Sequence, residues 1–145
     1  MINNTIAIAN DHAGYEMKMK LVEFLRNLGF ETEDMGTYST ESCDYSDFGH
    51  KLGKSINDGR YKTGIAICGS GNGINMTVNK YPKVRAALCW NNEISSLARK
   101  HNDANICTLP GRFVDFSQAC EIIQTFLSTD FEGGRHQKRI DKIPI

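Results

Sequence analysis

Gly64-Ile65-Ala66-Ile67-Cys68-Gly69-Ser70-Gly71-Asn72-Gly73 reads as a strand that gives way to a glycine turn and then to a helix. Ile65, Ala66 and Ile67 form the short apolar run of a strand covered on both faces. Glycines at alternate positions end it, and a helical pattern follows from Ile74 to Lys80. Strand, glycine turn and helix together aim backbone N–H groups and a positive helix end at an anion. A cysteine stands where the strand gives out.

The same unit recurs on either side. Upstream, Thr5–Ala9 is an apolar strand running into Asn10-Asp11-His12-Ala13-Gly14. Met17, Leu21, Phe24, Leu25 and Leu28 then recur at helical spacing over Tyr15–Leu28, and Gly29 stops them. Phe30–Met35 reads as a second strand, Thr37–Asp44 as a loop, and Ser46–Asp58 as a helix carrying Phe48, Leu52 and Ile56. Downstream, Val84–Cys89 predicts a fourth strand. Asn91 or Asn92 can cap a helix bearing Ile94, Leu97 and Ala98. Asn105–Leu109 predicts a fifth strand, and Phe116–Leu127 a helix with Ala119, Ile122, Ile123 and Phe126 on one face. Five strand–helix repeats imply an α/β fold: a doubly wound, Rossmann-like five-stranded parallel sheet with helices on both faces. Beyond Asp130 comes a C-terminal basic helical tail that cannot bury much of itself, so it is expected to fray or to dock, with a partner subunit as a candidate surface.

At 145 residues the chain reads as one domain large enough for a full core. Its 17 basic and 17 acidic residues cancel, so no charge surplus points to nucleic acid or an anionic membrane. The apolar runs are too short to span a bilayer. The N-terminus enters a strand without a cleavable signal pattern. The five cysteines, at 43, 68, 89, 107 and 120, include no Cys-x-x-Cys pair, and reduced thiols in a cytoplasmic setting are expected. The four histidines, at 12, 50, 101 and 136, show no short paired spacing, so no metal site is expected.

In a doubly wound sheet, ligands bind outside the carboxyl ends of the strands, where Asp11, His12, Cys68 and Ser70 fall. Cys68 precedes a glycine nest and a helix N-terminus, an environment that lowers a thiol pKa and suits it to act as a base. A buried cysteine at a strand end also serves simply as a small apolar residue. Gly69, Gly71 and Gly73 give G-x-G-x-G, which is neither the G-x-G-x-x-G of a dinucleotide site nor a P-loop. The loop's N–H groups and the Ser70 hydroxyl can surround one developing oxyanion, or the loop is a structural tight turn. Asp11 and His12 are titratable groups at a ligand-facing position, although Asp11 can equally cap the next helix. His101-Asn102-Asp103 ends a helix, where a histidine either meets the helix dipole or donates a proton. Arg112, Arg135 and Arg139 are either solvated charges or the forked donors that a phosphate needs.

Taken together, Asn10-Asp11-His12-Ala13-Gly14, Gly36-Thr37-Tyr38, Asp44-Tyr45, Cys68-Gly69-Ser70-Gly71-Asn72-Gly73-Ile74, Asn79-Lys80, His101-Asn102-Asp103-Ala104-Asn105 and Glu132-Gly133-Gly134-Arg135-His136 resemble the type B ribose-5-phosphate isomerase family and its hexose-phosphate isomerase relatives. The resemblance implies cofactor-independent interconversion of ribose 5-phosphate and ribulose 5-phosphate through an enediolate, a step of the pentose phosphate pathway. It implies Cys68 as the base between sugar C2 and C1, with Ser70 and the Gly69–Gly73 amides, Asn72 among them, on the enediolate oxygen. His101 would donate a proton in ring opening, and Asp11 would bind a sugar hydroxyl or accept its proton. His12, Arg112, Arg135 and Arg139 match phosphate contacts, and Tyr45 and Asn102 match sugar contacts. The family's site lies between two subunits, which implies a homodimer or a dimer of dimers.

Three positions depart from or subdivide that pattern. Ser46 follows Tyr45 where many members have proline, and Ser70 stands where threonine is frequent, keeping the hydroxyl. Ile74 occupies the place where some members without the cysteine put a glutamate base, so this chain falls in the cysteine-base group. Galactose-6-phosphate isomerase subunits typically lack the His-Asn-Asp and Gly-Gly-Arg-His segments; both are present here, which favours the pentose. Allose 6-phosphate is the alternative substrate. A non-catalytic flavodoxin-like binding domain is the alternative of another class, although Cys68 takes the place where a receiver domain would carry aspartate.

Overall fold

β1 (Thr5–Asn10) and β3 (Thr63–Cys68) alternate isoleucine with smaller residues, and the two faces of the sheet differ accordingly. The computed structural model describes residues 4–145. Ile6, Ile8, Ile65 and Ile67 join Cys107 and Leu109 of β5 (Ile106–Pro110) on one face. They pack against Leu21 and Leu25 of α1 (Tyr15–Asn27), Ala98 of α4 (Asn92–Asn102) and Ala119, Ile122 and Ile123 of α5 (Phe116–Ser128). Ala7, Ala9, Ala66 and Cys68 face the other way, toward Leu52 and Ile56 of α2 (Tyr45–Asn57) and Ile74 and Val78 of α3 (Asn72–Val78). Each face is thus apolar, as a sheet covered on both sides requires.

With β2 (Glu31–Asp34) and β4 (Ala86–Leu88), the strands form one parallel sheet in the order β2-β1-β3-β5-β4. The chain moves in one direction from β1 to β2, in the other from β2 through β3 to β4, and back again to β5. Right-handed crossovers convert each reversal into a change of face, which is why α1 and α4 share one side with α5 while α2 and α3 share the other. The order reverses between β1 and β3, the place where such a sheet opens a crevice at its carboxyl edge.

The expected elements form, with shifted ends. A short 3-10 turn, His12–Gly14, precedes α1, and α3 begins at Asn72 rather than Ile74. β4 is shorter than Val84–Cys89 because the Asn105 side chain takes the backbone just before it. Its Oδ1 accepts from Arg85 N at 2.8 Å, and its Nδ2 donates to the Lys83 carbonyl at 2.9 Å. On the free edge of β4, the Asn79 amide bonds both backbone groups of Ala86, at 3.0 and 2.9 Å. A side chain therefore occupies part of the edge where a further strand could add.

The tail docks rather than frays. It forms α6 (Arg135–Ile140) and docks on its own chain, with His136 and Ile140 buried. Glu132 N bonds the Lys100 carbonyl at 3.1 Å and Arg99 Nε donates to the Thr129 carbonyl at 3.1 Å, tying the approach to α6 onto the end of α4. No helix among the described residues is long and apolar enough to cross a membrane.

Candidate active site

Asp11 directly follows β1 and Cys68 ends β3, the two strands that flank the switch point. Asp11 is buried, and its Oδ1 accepts from Ala13 N at 2.9 Å and Gly14 N at 3.3 Å. The capping reading of Asp11 is therefore realised. Both bonds use the same oxygen, so the cap does not consume the carboxylate. His12 is fixed by its neighbour Cys43, whose backbone N–H donates to Nδ1 at 3.2 Å. A neutral imidazole that accepts at Nδ1 carries its hydrogen at Nε2, the orientation of a donor toward an anion.

Cys68 lies 4 % exposed on the face of β3 that meets α2 and α3. Burial pushes its thiol above the ordinary value. The N–H groups of Ile74, Gly71 and Gly73 pull it down by favouring the thiolate, and the Asp11 carboxylate pushes it up again. The net direction is upward, which corrects the expectation from the helix end alone. In a single chain, desolvation outweighs the amides.

The loop can aim those amides because of two glycines. Gly71 has φ +80°, and a Cβ there would lie 2.4 Å from Leu88 Cδ1 and 3.2 Å from the Leu109 carbonyl oxygen. A Cβ on Gly73 would lie 2.4 Å from the Tyr45 ring, so Tyr45 covers the loop just where the helix begins. Ser70 is exposed, and its Oγ accepts from Asn72 N at 3.2 Å. Ile74 is fully buried and adds no rival base. Arg112 N bonds the Gly69 carbonyl at 3.0 Å, and its guanidinium lies over Gly69.

Asp11, His12, Tyr45, Cys68, Gly69, Ser70, Gly71, Asn72, Gly73 and Arg112 therefore form one group at the carboxyl edge. His101, Asn102, Arg135 and Arg139 form another at the amino edge, where α4 ends and β5 has yet to start. Within the second group, the His101 and His136 rings stack, 4.3 Å between centroids and 16° between planes. His136 Nε2 lies 3.6 Å from Glu132 Oε1. Asp103, with φ +47°, is structural: it pairs with Arg99 at 2.9 Å and Arg85 at 3.4 Å. The sequence reading gave no role to His136, Glu132 or Cys43. His101 and His136 are too far apart in sequence for spacing to reveal that they stack. A cavity of about 500 Å³ also opens at the amino edge, lined by Lys62, Arg85, Arg99 and Asp103 among others; Cys68 is not part of it.

The model for the Ribose/Galactose Isomerase family matches residues 6–143. A Rickettsia bellii protein named for sugar phosphate isomerisation, with no sugar specified, is 41% identical over 95% of this chain and 96% of its own length. The ribose 5-phosphate isomerase structure from Thermotoga maritima is 48% identical, with a TM-score of 0.95 and 99% of each chain covered. The ribose-5-phosphate isomerase B structure from Mycoplasma genitalium, with bound ribulose-5-phosphate, is 40% identical with a TM-score of 0.91, covering 96% of this chain and 93% of that one. By sequence over nearly its whole length and by fold, the chain belongs to the ribose/galactose isomerase family of sugar phosphate isomerases.

Proposed function

We propose that the chain interconverts ribose 5-phosphate and ribulose 5-phosphate, with Cys68 as the base that moves a proton between C2 and C1. The observation that carries this reading is the position of Cys68 at the carboxyl end of β3, at the switch point and directly before the Gly69–Gly73 loop, whose amides favour its thiolate. Donors that favour a thiolate also favour the enediolate oxygen formed beside it. Ser70 adds a hydroxyl to that array, and Asp11 meets a sugar hydroxyl with the oxygen its cap leaves over. The ribulose-5-phosphate bound to the Mycoplasma genitalium relative supports the pentose as substrate.

The reading requires two copies of the chain. His101, Asn102, Arg135 and Arg139 join the Cys68 group only if a second subunit presents its amino edge to the first subunit's carboxyl edge. A two-fold axis makes both sites at once. Exposed Met76, Trp90 and Phe113, which follow the carboxyl ends of β3, β4 and β5, supply apolar surface for that contact. In the pair, His101 protonates the ring oxygen during opening, and His12 and Arg112 of one copy meet Arg135 and Arg139 of the other around the phosphate. An isomerase assay on ribose, allose and galactose phosphates, with a chelator present, tests the reading. The pentose should turn over fastest and Cys68→Ala should lose several orders of magnitude. Near-normal turnover by that variant removes Cys68 as the base.

A further inference from the structure

We propose that His101, Glu132 and His136 form a binding site for a divalent transition-metal ion of the zinc class. Their three donor atoms all lie within 4.8 Å of one another. His136 is 5 % exposed, and its Nε2, aimed at this cluster, has no hydrogen-bond partner. A buried ring nitrogen left unpaired is costly unless something fills the place. Metal–ligand bonds of about 2.0–2.2 Å in a tetrahedron put ligand atoms roughly 3.3–3.6 Å apart. His136 Nε2 and Glu132 Oε1, at 3.6 Å, already stand near that separation.

The frame is held from outside the cluster. Glu132 is tethered through its backbone N–H to the Lys100 carbonyl, next to His101, and His136 N bonds the Gly133 carbonyl at 3.2 Å. His101 is the adjustable ligand. Its ring stacks on that of His136, and this half-buried ring turns about its Cβ–Cγ bond to bring a nitrogen onto a shared ion. Two imidazoles and one carboxylate select zinc, cobalt, nickel or copper over magnesium or calcium, and they leave an open coordination position. Arg135 and Arg139, on the same helix as His136, oppose a dication and weaken its binding.

An ion here occupies the His101 lone pair, so metal loading and ring opening exclude one another. That consequence rests on the role given to His101 above; the binding does not. Titrating the full-length chain with cobalt(II), followed by displacement with zinc(II), should show one ion per chain and the visible absorption of low-coordinate cobalt. Glu132→Gln and His136→Gln should each weaken binding by more than the about 10–100-fold typical of outer-shell changes. Glu132 is half exposed, so its variant keeps the test valid even if His136→Gln fails to fold. No binding up to millimolar metal, or binding unchanged in Glu132→Gln, overturns the site. Zinc bound here with undiminished turnover of cyclic sugar upholds the site and removes His101 as the ring-opening donor.

Discussion

Cys68 and His101 belong to opposite ends of the β3–β5 pair. Cys68 stands in register with Pro110 at the carboxyl end of β5, whereas His101 precedes Ile106 at its amino end. Strands rise about 3.3 Å per residue, so the two ends of β5 are roughly 13 Å apart. A thiol that takes a proton from C2 and an imidazole that serves the ring oxygen of the same sugar must lie much closer than that. The site reading therefore stands or falls with the second copy.

Mixing two inactive variants tests this directly. In a Cys68→Ala/His101→Gln heterodimer, one of the two sites takes Cys68 from one chain and His101 from the other, and it is intact. After random exchange of equal amounts, about one quarter of wild-type turnover per chain should return. If each chain built its own site, the mixture would stay as inactive as its parents.

The upward displacement of the Cys68 thiol fixes the sign of a pH effect. A raised pKa means that the thiolate fraction, and with it the base, grows as pH rises through the neutral and alkaline range. The kcat/KM for ribose 5-phosphate should climb across that range and level off only where the thiol is fully ionised. A profile already flat at neutral pH would show that the assembled site lowers the thiol below its place in the single chain.

Much of this was legible in the order of residues. Ile-Ala-Ile in β3 and Ile-Ala-Ile-Ala in β1 announce strands buried on both faces, and the residues just after them are ligand-facing by the geometry of parallel sheets. Helix periodicity located α1, α2, α4 and α5 because each turns a single apolar stripe to the sheet. What could not be read were relationships between distant segments. The Asn105 side chain that shortens β4, the Cys43 amide that sets the His12 tautomer and the stack of His136 on His101 leave no local pattern. The direction of the Cys68 shift was missed for a related reason: the helix end is visible in sequence, but the depth of burial is a property of the packed sheet.

Lys18 is a buried lysine of α1 whose ammonium pairs with Asp34 Oδ1 at 2.9 Å and donates to the Thr37 carbonyl. It ties α1 to the end of β2 and to the loop that leads toward α2. Lys18→Met keeps the length of the side chain but takes the ammonium from the Thr37 carbonyl and leaves Asp34 Oδ1 with the Gly36 N–H at 2.9 Å. Asp34 is one-third exposed, so water recovers part of the loss, and the cost should be on the order of 1–3 kcal/mol. Urea unfolding should show it as a lower midpoint with an unchanged slope. A midpoint equal to wild type would mean that desolvating the lysine offsets the pair.

Gly71 tests the loop without touching a titrating group. Alanine there meets a positive φ and a Cβ 2.4 Å from Leu88 Cδ1, so the loop must shift, at a cost of about 1–3 kcal/mol for a strained backbone position. That shift turns the Gly71 amide away from Cys68. Turnover should fall by about 10²–10³, the loss typical of removing one oxyanion donor. KM for the sugar phosphate should change far less, because the phosphate contacts proposed for it, the arginines and His12, lie elsewhere. Steady-state kinetics on ribose 5-phosphate separate the two parameters. A variant that raises KM and spares kcat would place the phosphate, not the reacting carbons, over the glycine loop.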